Sequence, residues 1–239
     1  LKKAGFNPEI PPRTWQELEK FARAITEKDA YGLKVLGVAP ISGIDYKSHF
    51  LFWIVENNGK IFSDDGKKVL FNSKEGVETM KYLVKFTNEI NGGIEAVNDF
   101  FGKSKPQDAD FPFHKGVLGG FYGNVAQFNH FAKASPALYN DNSKWGVSLG
   151  HYNGNNHLAE STGVAGLTWA WGYTIPKAIS KEKQDAAYKF IEFLGTNKKG
   201  GCAFLFAQGR PSPVKECNNN PAYFDKNPNW NIVQDVMNA

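Results

Sequence analysis

The stretch "GLTWAWGYTIPK", residues 166–177, sets Trp169, Trp171 and Tyr173 at alternating positions. In an extended strand alternate side chains share one face, so these rings would form one apolar surface. A surface of that kind is either a core face or a platform at the mouth of a loop. A platform of aromatic rings offers flat apolar area together with polar edges. A sugar has the complementary shape, with C–H groups on one face and hydroxyls around the rim. The flanking glycine and the preceding polar loop "NGNNHLAESTG" weigh for a platform as much as for a core at Trp169 and Trp171, whereas Tyr173 reads as core. Phe121 and Tyr122 follow Gly119-Gly120 in another strand-to-loop turn and are candidates of the same kind.

Groups that could catalyse are not spaced for it. His49, His114, His130, His151 and His157 make no H-E-x-x-H or other metal spacing. His151 and His157, in one polar loop, are a poor ligand pair. The glycines of 116–120 carry no Walker lysine. Asp108 and Asp110 read as solvated loop residues, since a glycosidase pair must face across a cleft. Cys202 and Cys217 leave two options, one disulfide in an oxidising compartment or two separate thiols. The net charge of +4 comes with dispersed lysines and no dense basic block, which argues against nucleic acid as a partner. No apolar run approaches the roughly 18 residues that span a bilayer. The opening "LKKAGFNPEIPP" has no apolar signal-peptide core, which leaves the compartment open.

Local patterns predict the elements that must position the rings. Thr14 and Glu17 form a capping box, followed by Trp15, Leu18, Phe21, Ala22 and Ile25 at helical spacing. Residues 33–40 read as a buried strand, 46–62 as a helix stopped near Asn58-Gly59, and 64–71 as a turn entering a short strand. Asn72 and Glu75 predict a second cap, with Val77, Met80, Leu83 and Val84 as the buried face. Residues 91–115 read as loop. A strand over 116–124 leads to a helix from about Val125 to Ala134, and 145–152 is another strand. Ser180 caps a helix with Ala187, Phe190, Ile191 and Leu194 on one side, and a short helix closes at Gly209. The tail from Asn218 is polar and only weakly helical. Strands alternating with helices make this an α/β chain.

Several segments resemble one family, the extracellular solute-binding proteins of bacterial ABC importers, in their maltose-binding-protein-like, sugar-binding group. The segments are "KKAGFNPEIPPRTWQELEKFARAIT", "NNGKIFSDDGKKVLFNSKEGVETMKYLVKF", "FHKGVLGGFYGN", "WGYTIPKAISKEKQDAAYKFIEFL" and "GRPSPVK". They occur in the family's order across nearly all 239 residues, with Tyr122 where that family often has Trp. The resemblance implies a type II periplasmic-binding-protein α/β sandwich. Residues 1–168 would form a second, C-terminal lobe. Residues 169–214 would be the crossing strand and helices of the first lobe, and 215–239 a return segment. It implies a receptor without enzymatic activity or cofactor, extracellular or periplasmic, and a tethered lipoprotein in a Gram-positive bacterium. A sugar or oligosaccharide would lie between lobes and pass to membrane permease subunits. The cleft positions carried over are Asp45, Tyr46, Phe121, Tyr122, Trp169, Trp171 and Arg210.

The resemblance places the chain's start in the middle of the family's pattern, after a first lobe of roughly a hundred residues. A nearly complete second lobe is therefore expected, with part of the first, weakened ligand binding and self-association through exposed first-lobe helices. Two rival readings stand beside it. A secreted glycosidase or carbohydrate-binding module would also carry aromatic platforms. The other is a receptor for a polyamine, metal or organic anion; a cation would need more acidic groups near the rings than these segments hold.

Overall fold

The computed structural model describes residues 4–41, 46–162 and 172–238. Helix α1 (Trp15–Ile25) starts on the capping box that the sequence predicts. The Thr14 hydroxyl accepts from Glu17 N–H, and the Glu17 carboxylate accepts from the Arg13 and Thr14 N–H groups at 2.8 and 3.0 Å. Those two backbone donors hold the Glu17 carboxyl below its ordinary pKa. Trp15, Leu18, Phe21 and Ala22 are buried, and Ile25 packs half-buried beside them.

Strands β1 (Glu27–Asp29) and β2 (Gly32–Val35) pair antiparallel. Beyond β2 the chain runs beside 117–121. Leu36 bridges in parallel to Leu118, and Ala39 to Phe121. The bonds are Leu36 N–H to Val117 O, Gly119 N–H to Leu36 O and Ala39 N–H to Gly120 O, at 3.0, 2.8 and 3.2 Å. Gly119 is required here, because a Cβ would lie 2.5 Å from Gly37 O. A third parallel bridge joins Thr14 to Tyr152. The predicted strands thus occupy neighbouring positions, but hydrogen-bonded pairing is shorter than the sequence suggests. Of 145–152 only the Tyr152 bridge is paired, and the 64–71 turn closes through one antiparallel bridge, Phe62 to Val69.

Helix α2 (Tyr46–Glu56) ends where predicted, with Asn58 at a φ of 61°. Helix α3 (Lys74–Glu89) differs from expectation twice. Ser73 is its cap, accepting from Gly76 N–H, one residue later than the Asn72 pattern. Leu83 is buried as predicted, together with Gly76, Thr79 and Phe86, while Val77, Met80 and Val84 are exposed. Two apolar stripes compete on this helix. The one carrying Leu83 and Phe86 wins because these larger side chains join the cluster of Trp15, Leu18, Phe21, Val38, Trp53 and Ile90.

Residues 91–115, predicted as loop, contain helix α4 (Ile94–Phe101), which buries Val97. Helices α5 (Ala126–Ala134) and α6 (Pro136–Tyr139) follow. A second buried cluster, Leu36, Ala39, Phe111 and Leu118, lies on the other side of the bridged segments.

Ser180 caps α7 (Lys181–Thr196) as predicted, yet no residue of α7 is buried. Tyr173, predicted as core, is 58% exposed, because it precedes this uncovered helix and lies outside any strand. A π-helical turn, Lys198–Cys202, leads into α8 (Ala203–Ala207), and Gly209 closes it at a φ of 63°. Cys202 and Cys217 are joined as a disulfide, which resolves the two options left by the sequence. The tail is more ordered than its polarity suggests, forming α9 (Ala222–Lys226) and α10 (Trp230–Asn238). Its organiser is a buried stack of Tyr223 on Trp230, centroids 4.1 Å apart, with the Trp230 indole donating to Asn218 O at 2.9 Å.

Candidate functional site

Phe121 and Tyr122 stand at the end of the segment that bridges to Leu36 and Ala39. Successive residues of an extended chain face opposite ways, and the contacts follow that rule. Phe121 packs edge-on against Phe111 and Phe113, at 5.1 and 5.3 Å, and joins the second cluster. Tyr122 joins the first. Its ring lies 5.0 Å from Trp53 and meets Phe52 and His151 edge-on at 5.7 and 5.6 Å. The two candidates therefore do not present one common platform.

The Tyr122 hydroxyl is hydrogen-bonded to His151 Nδ1. His151 is held in turn by its backbone, whose carbonyl accepts from the Trp15 indole at 2.7 Å. Trp15 stacks on Tyr82 at 4.2 Å, and the Tyr82 hydroxyl donates to Trp15 O. The loop after His151 is anchored on the buried Asn57, whose Oδ1 accepts from Asn153 and whose carbonyl accepts from Asn156.

Behind this pair sits Glu56, the last residue of α2 and fully buried. Neither carboxyl oxygen has a hydrogen-bond partner of good geometry. Gly150 leaves it room, since a Cβ there would lie 1.4 Å from Glu56 Oε1. Burial pushes Glu56 well above the ordinary carboxylate range, with the His151 backbone N–H and the Arg13 charge opposing. Burial, then the Arg13 charge, pushes His151 down to about 4, with Glu17 opposing. Burial, reinforced by Glu56 and Tyr82, pushes the Tyr122 phenol well above its usual value. All three shifts favour the uncharged form. The arrangement suits a fixed ring surface, because it holds no activated nucleophile and its acid is sealed from solvent.

Arg210 is half-buried in the turn after α8, and its carbonyl accepts from the Tyr223 hydroxyl at 2.9 Å. Asn129 of α5 donates its side-chain amide to Gln208 O, so this turn rests on the helix that follows Tyr122. Tyr46 opens α2, but its side chain, together with Asp45, Trp169 and Trp171, lies outside the described residues. Sequence reasoning missed Glu56 and His151 as partners of Tyr122. The available signal was a single acid at the end of the apolar run "FLFWIVE".

Residues 1–231 match the family described as bacterial extracellular solute-binding protein. The sn-glycerol-3-phosphate-binding periplasmic protein of Salmonella typhimurium is 24% identical over 249 residues, covering 99% of this chain and 51% of that protein. Its namesake in Escherichia coli K12 is 24% identical over 202 residues, covering 81% of this chain and 40% of that protein. The chain thus spans about half the length of the curated relatives it matches. An ABC transporter solute-binding protein from Thermotoga lettingae, bound with α-D-tagatose, superposes with a TM-score of 0.70 at 21% identity. That match covers 97% of this chain and 54% of the other. An ABC substrate-binding protein from Listeria monocytogenes, in complex with cycloalternan, gives 0.67 at 20% identity over 99% and 54%. A third, from Agrobacterium radiobacter in complex with ribitol, gives 0.65 at 21% identity over 100% and 55%. The parallel bridges flanked by helices are accordingly part of a type II periplasmic-binding-protein fold, and the chain belongs to the bacterial extracellular solute-binding protein family.

Proposed function

We propose that the chain is part of the solute receptor of an ABC importer and contributes to the binding of a sugar or sugar oligomer. The observation that carries this reading is the ligand class of the similar solved structures: tagatose, cycloalternan and ribitol are all polyhydroxylated and uncharged. The neutral surroundings of Tyr122 suit such a ligand, for which ring stacking and hydroxyl hydrogen bonds replace charge pairing. Residues 1–168 form one lobe in this reading, 169–214 cross to the other, and 215–239 return. Trp169, Trp171 and Tyr122 line the cleft, with Asp45, Tyr46, Phe121 and Arg210 at its margin. The receptor works outside the cytoplasmic membrane, free or lipid-tethered, and delivers its ligand to the permease without chemical change.

The test is titration calorimetry of the protein against D-tagatose, ribitol and mannotriose, with sn-glycerol 3-phosphate and spermidine as contrasts. Saturable binding of a neutral polyol, weakened by Trp171→Ala with little change in melting temperature, supports the reading. Binding of glycerol 3-phosphate or spermidine alone overturns the ligand class. Steady cleavage of the oligosaccharide overturns the receptor reading in favour of a glycosidase.

A further inference from the structure

The geometry points to His151 as a positioning residue for ligand recognition. By engaging the Tyr122 hydroxyl from inside the lobe, it fixes the phenol so that the ring surface, and not the hydroxyl, is offered to a polyhydroxylated ligand. This deepens the proposed function and rests on its assignment of Tyr122 to the cleft.

A tyrosine in a carbohydrate site can contribute in two ways, as a flat apolar surface or as a hydroxyl that bonds a sugar hydroxyl. The bond to His151 Nδ1 commits the hydroxyl to the interior. In the tautomer with the proton on Nε2, the phenol donates to Nδ1; in the other, Nδ1–H donates to the phenol oxygen. Withdrawing the hydroxyl toward a ligand would strand a buried imidazole nitrogen, since His151 is 8% exposed. The imidazole is itself immobilised. The His151 backbone carbonyl accepts from the Trp15 indole N–H, the ring lies within 16° of parallel to Trp53, and the adjacent Tyr152 N–H donates to Arg13 O at 3.1 Å.

The ionisable groups packed around the pair come from three sides. Glu56 and His49 come from α2, Glu17 from α1 with Arg13 just before it, and Tyr82 from α3. Burial, with smaller contributions from these charges, leaves imidazole and phenol uncharged near neutrality, so the bond persists through ordinary changes of pH. Ring orientation then becomes a property of the lobe alone, present before any ligand arrives. Pre-set orientation of this kind lowers the cost of binding by reducing what must be ordered.

The experiment is calorimetry with D-tagatose, ribitol and mannotriose on four variants of the protein: His151→Leu, His151→Gln, Tyr122→Phe and the Tyr122→Phe/His151→Leu double. His151→Leu is expected to weaken binding about tenfold, and His151→Gln, which retains a hydrogen-bonding group, by no more than about threefold. Tyr122→Phe should match His151→Leu, and the double variant should be no worse than either single one, because both remove the same bond. A ligand-free measurement accompanies these: the ¹⁵N resonance of His151 Nδ1 should move in Tyr122→Phe and hold steady between pH 5.5 and 8 in the parent, a range set by its pKa of about 4. Unchanged affinity in His151→Leu, or additive losses in the double variant, overturns the positioning role while leaving the receptor reading intact. If the parent binds none of the three sugars, the receptor reading and the positioning role fall together.

Discussion

Helix α1 buries Trp15, Leu18, Phe21 and Ala22 beneath α2 and α3, whereas α7, at 16 residues against 11, buries no side chain at all. Both begin in the same way, with a hydroxyl side chain accepting from the backbone N–H three residues on. Both carry apolar residues three and four apart. The difference lies in what faces them. The α1 stripe meets Trp53, Leu83 and Phe86, while the stripe of α7 leaves Ala187, Ile191 and Leu194 half-buried and Phe190 62% exposed. Caps and spacing decide where a helix starts and which side is apolar. They do not supply the surface that covers it.

The contrast can be broken or sharpened by experiment. The largest difference should appear in paired truncations: Trp53→Ala is expected to cost about 3–5 kcal/mol in urea unfolding, and Phe190→Ala less than about 0.5. Equal losses would mean that α7 is covered in solution. Next, removing the disulfide with Cys202→Ala/Cys217→Ala opens a loop of 15 residues and should cost about 3 kcal/mol by the chain-entropy argument. Hydrogen exchange should show that loss confined to 197–238, with α1 to α3 unaffected. Smaller again, Thr14→Ala should lower stability by about 1 kcal/mol, because its helix is coupled to the core. Ser180→Ala should cost only a few tenths, because α7 can fray without exposing buried area.

The smallest expected effect is the net slope of stability with pH in the parent, where two buried groups oppose each other. Glu56 has a raised pKa, so the unfolded chain gives up that proton first, and stability falls as pH rises above 4.5 toward the folded value. His151 is lowered from 6.5 to about 4, so the unfolded chain takes up its proton first, and stability falls as pH drops through that window. Above pH 4.5, where the two windows overlap, they oppose each other and flatten their joint contribution. Glu56→Gln should remove the opposing contribution and expose the His151 rise from 4.5 to 6.5, read as unfolding midpoints across pH.

Where local chemistry dictates structure, the sequence was legible. The Thr14 box, the Ser180 cap, the stop at Asn58 and the closure at Gly209 each depend on residues within one turn. Misreadings occurred where distant packing chose between local options. On α3, Leu83 is buried as its sequence predicts, but Val77, Met80 and Val84 form a plausible stripe beside it that only the α1 surface rejects in favour of Phe86. The weakly helical tail became ordered because Tyr223 and Trp230, modest signals on their own, stack together. The site shows the same division. Gly119-Gly120 pointed to Phe121 and Tyr122, yet not to their facing opposite clusters. The sequence around His151 suggests no more than half of a poor metal pair, because its partner is 29 residues away along the chain.

Gly150 and Glu56 are too close to vary independently. A methyl group at 150 would occupy the space of a carboxyl oxygen that has nowhere to retreat. Among descendants of this chain, a side chain gained at 150 requires a shorter residue at 56 and a shift of the Phe52 ring, 2.9 Å from a Cβ there, and a lineage that keeps the long acid must keep the bare backbone opposite it. The two positions should therefore be inherited as a unit, with mixed combinations pruned by selection.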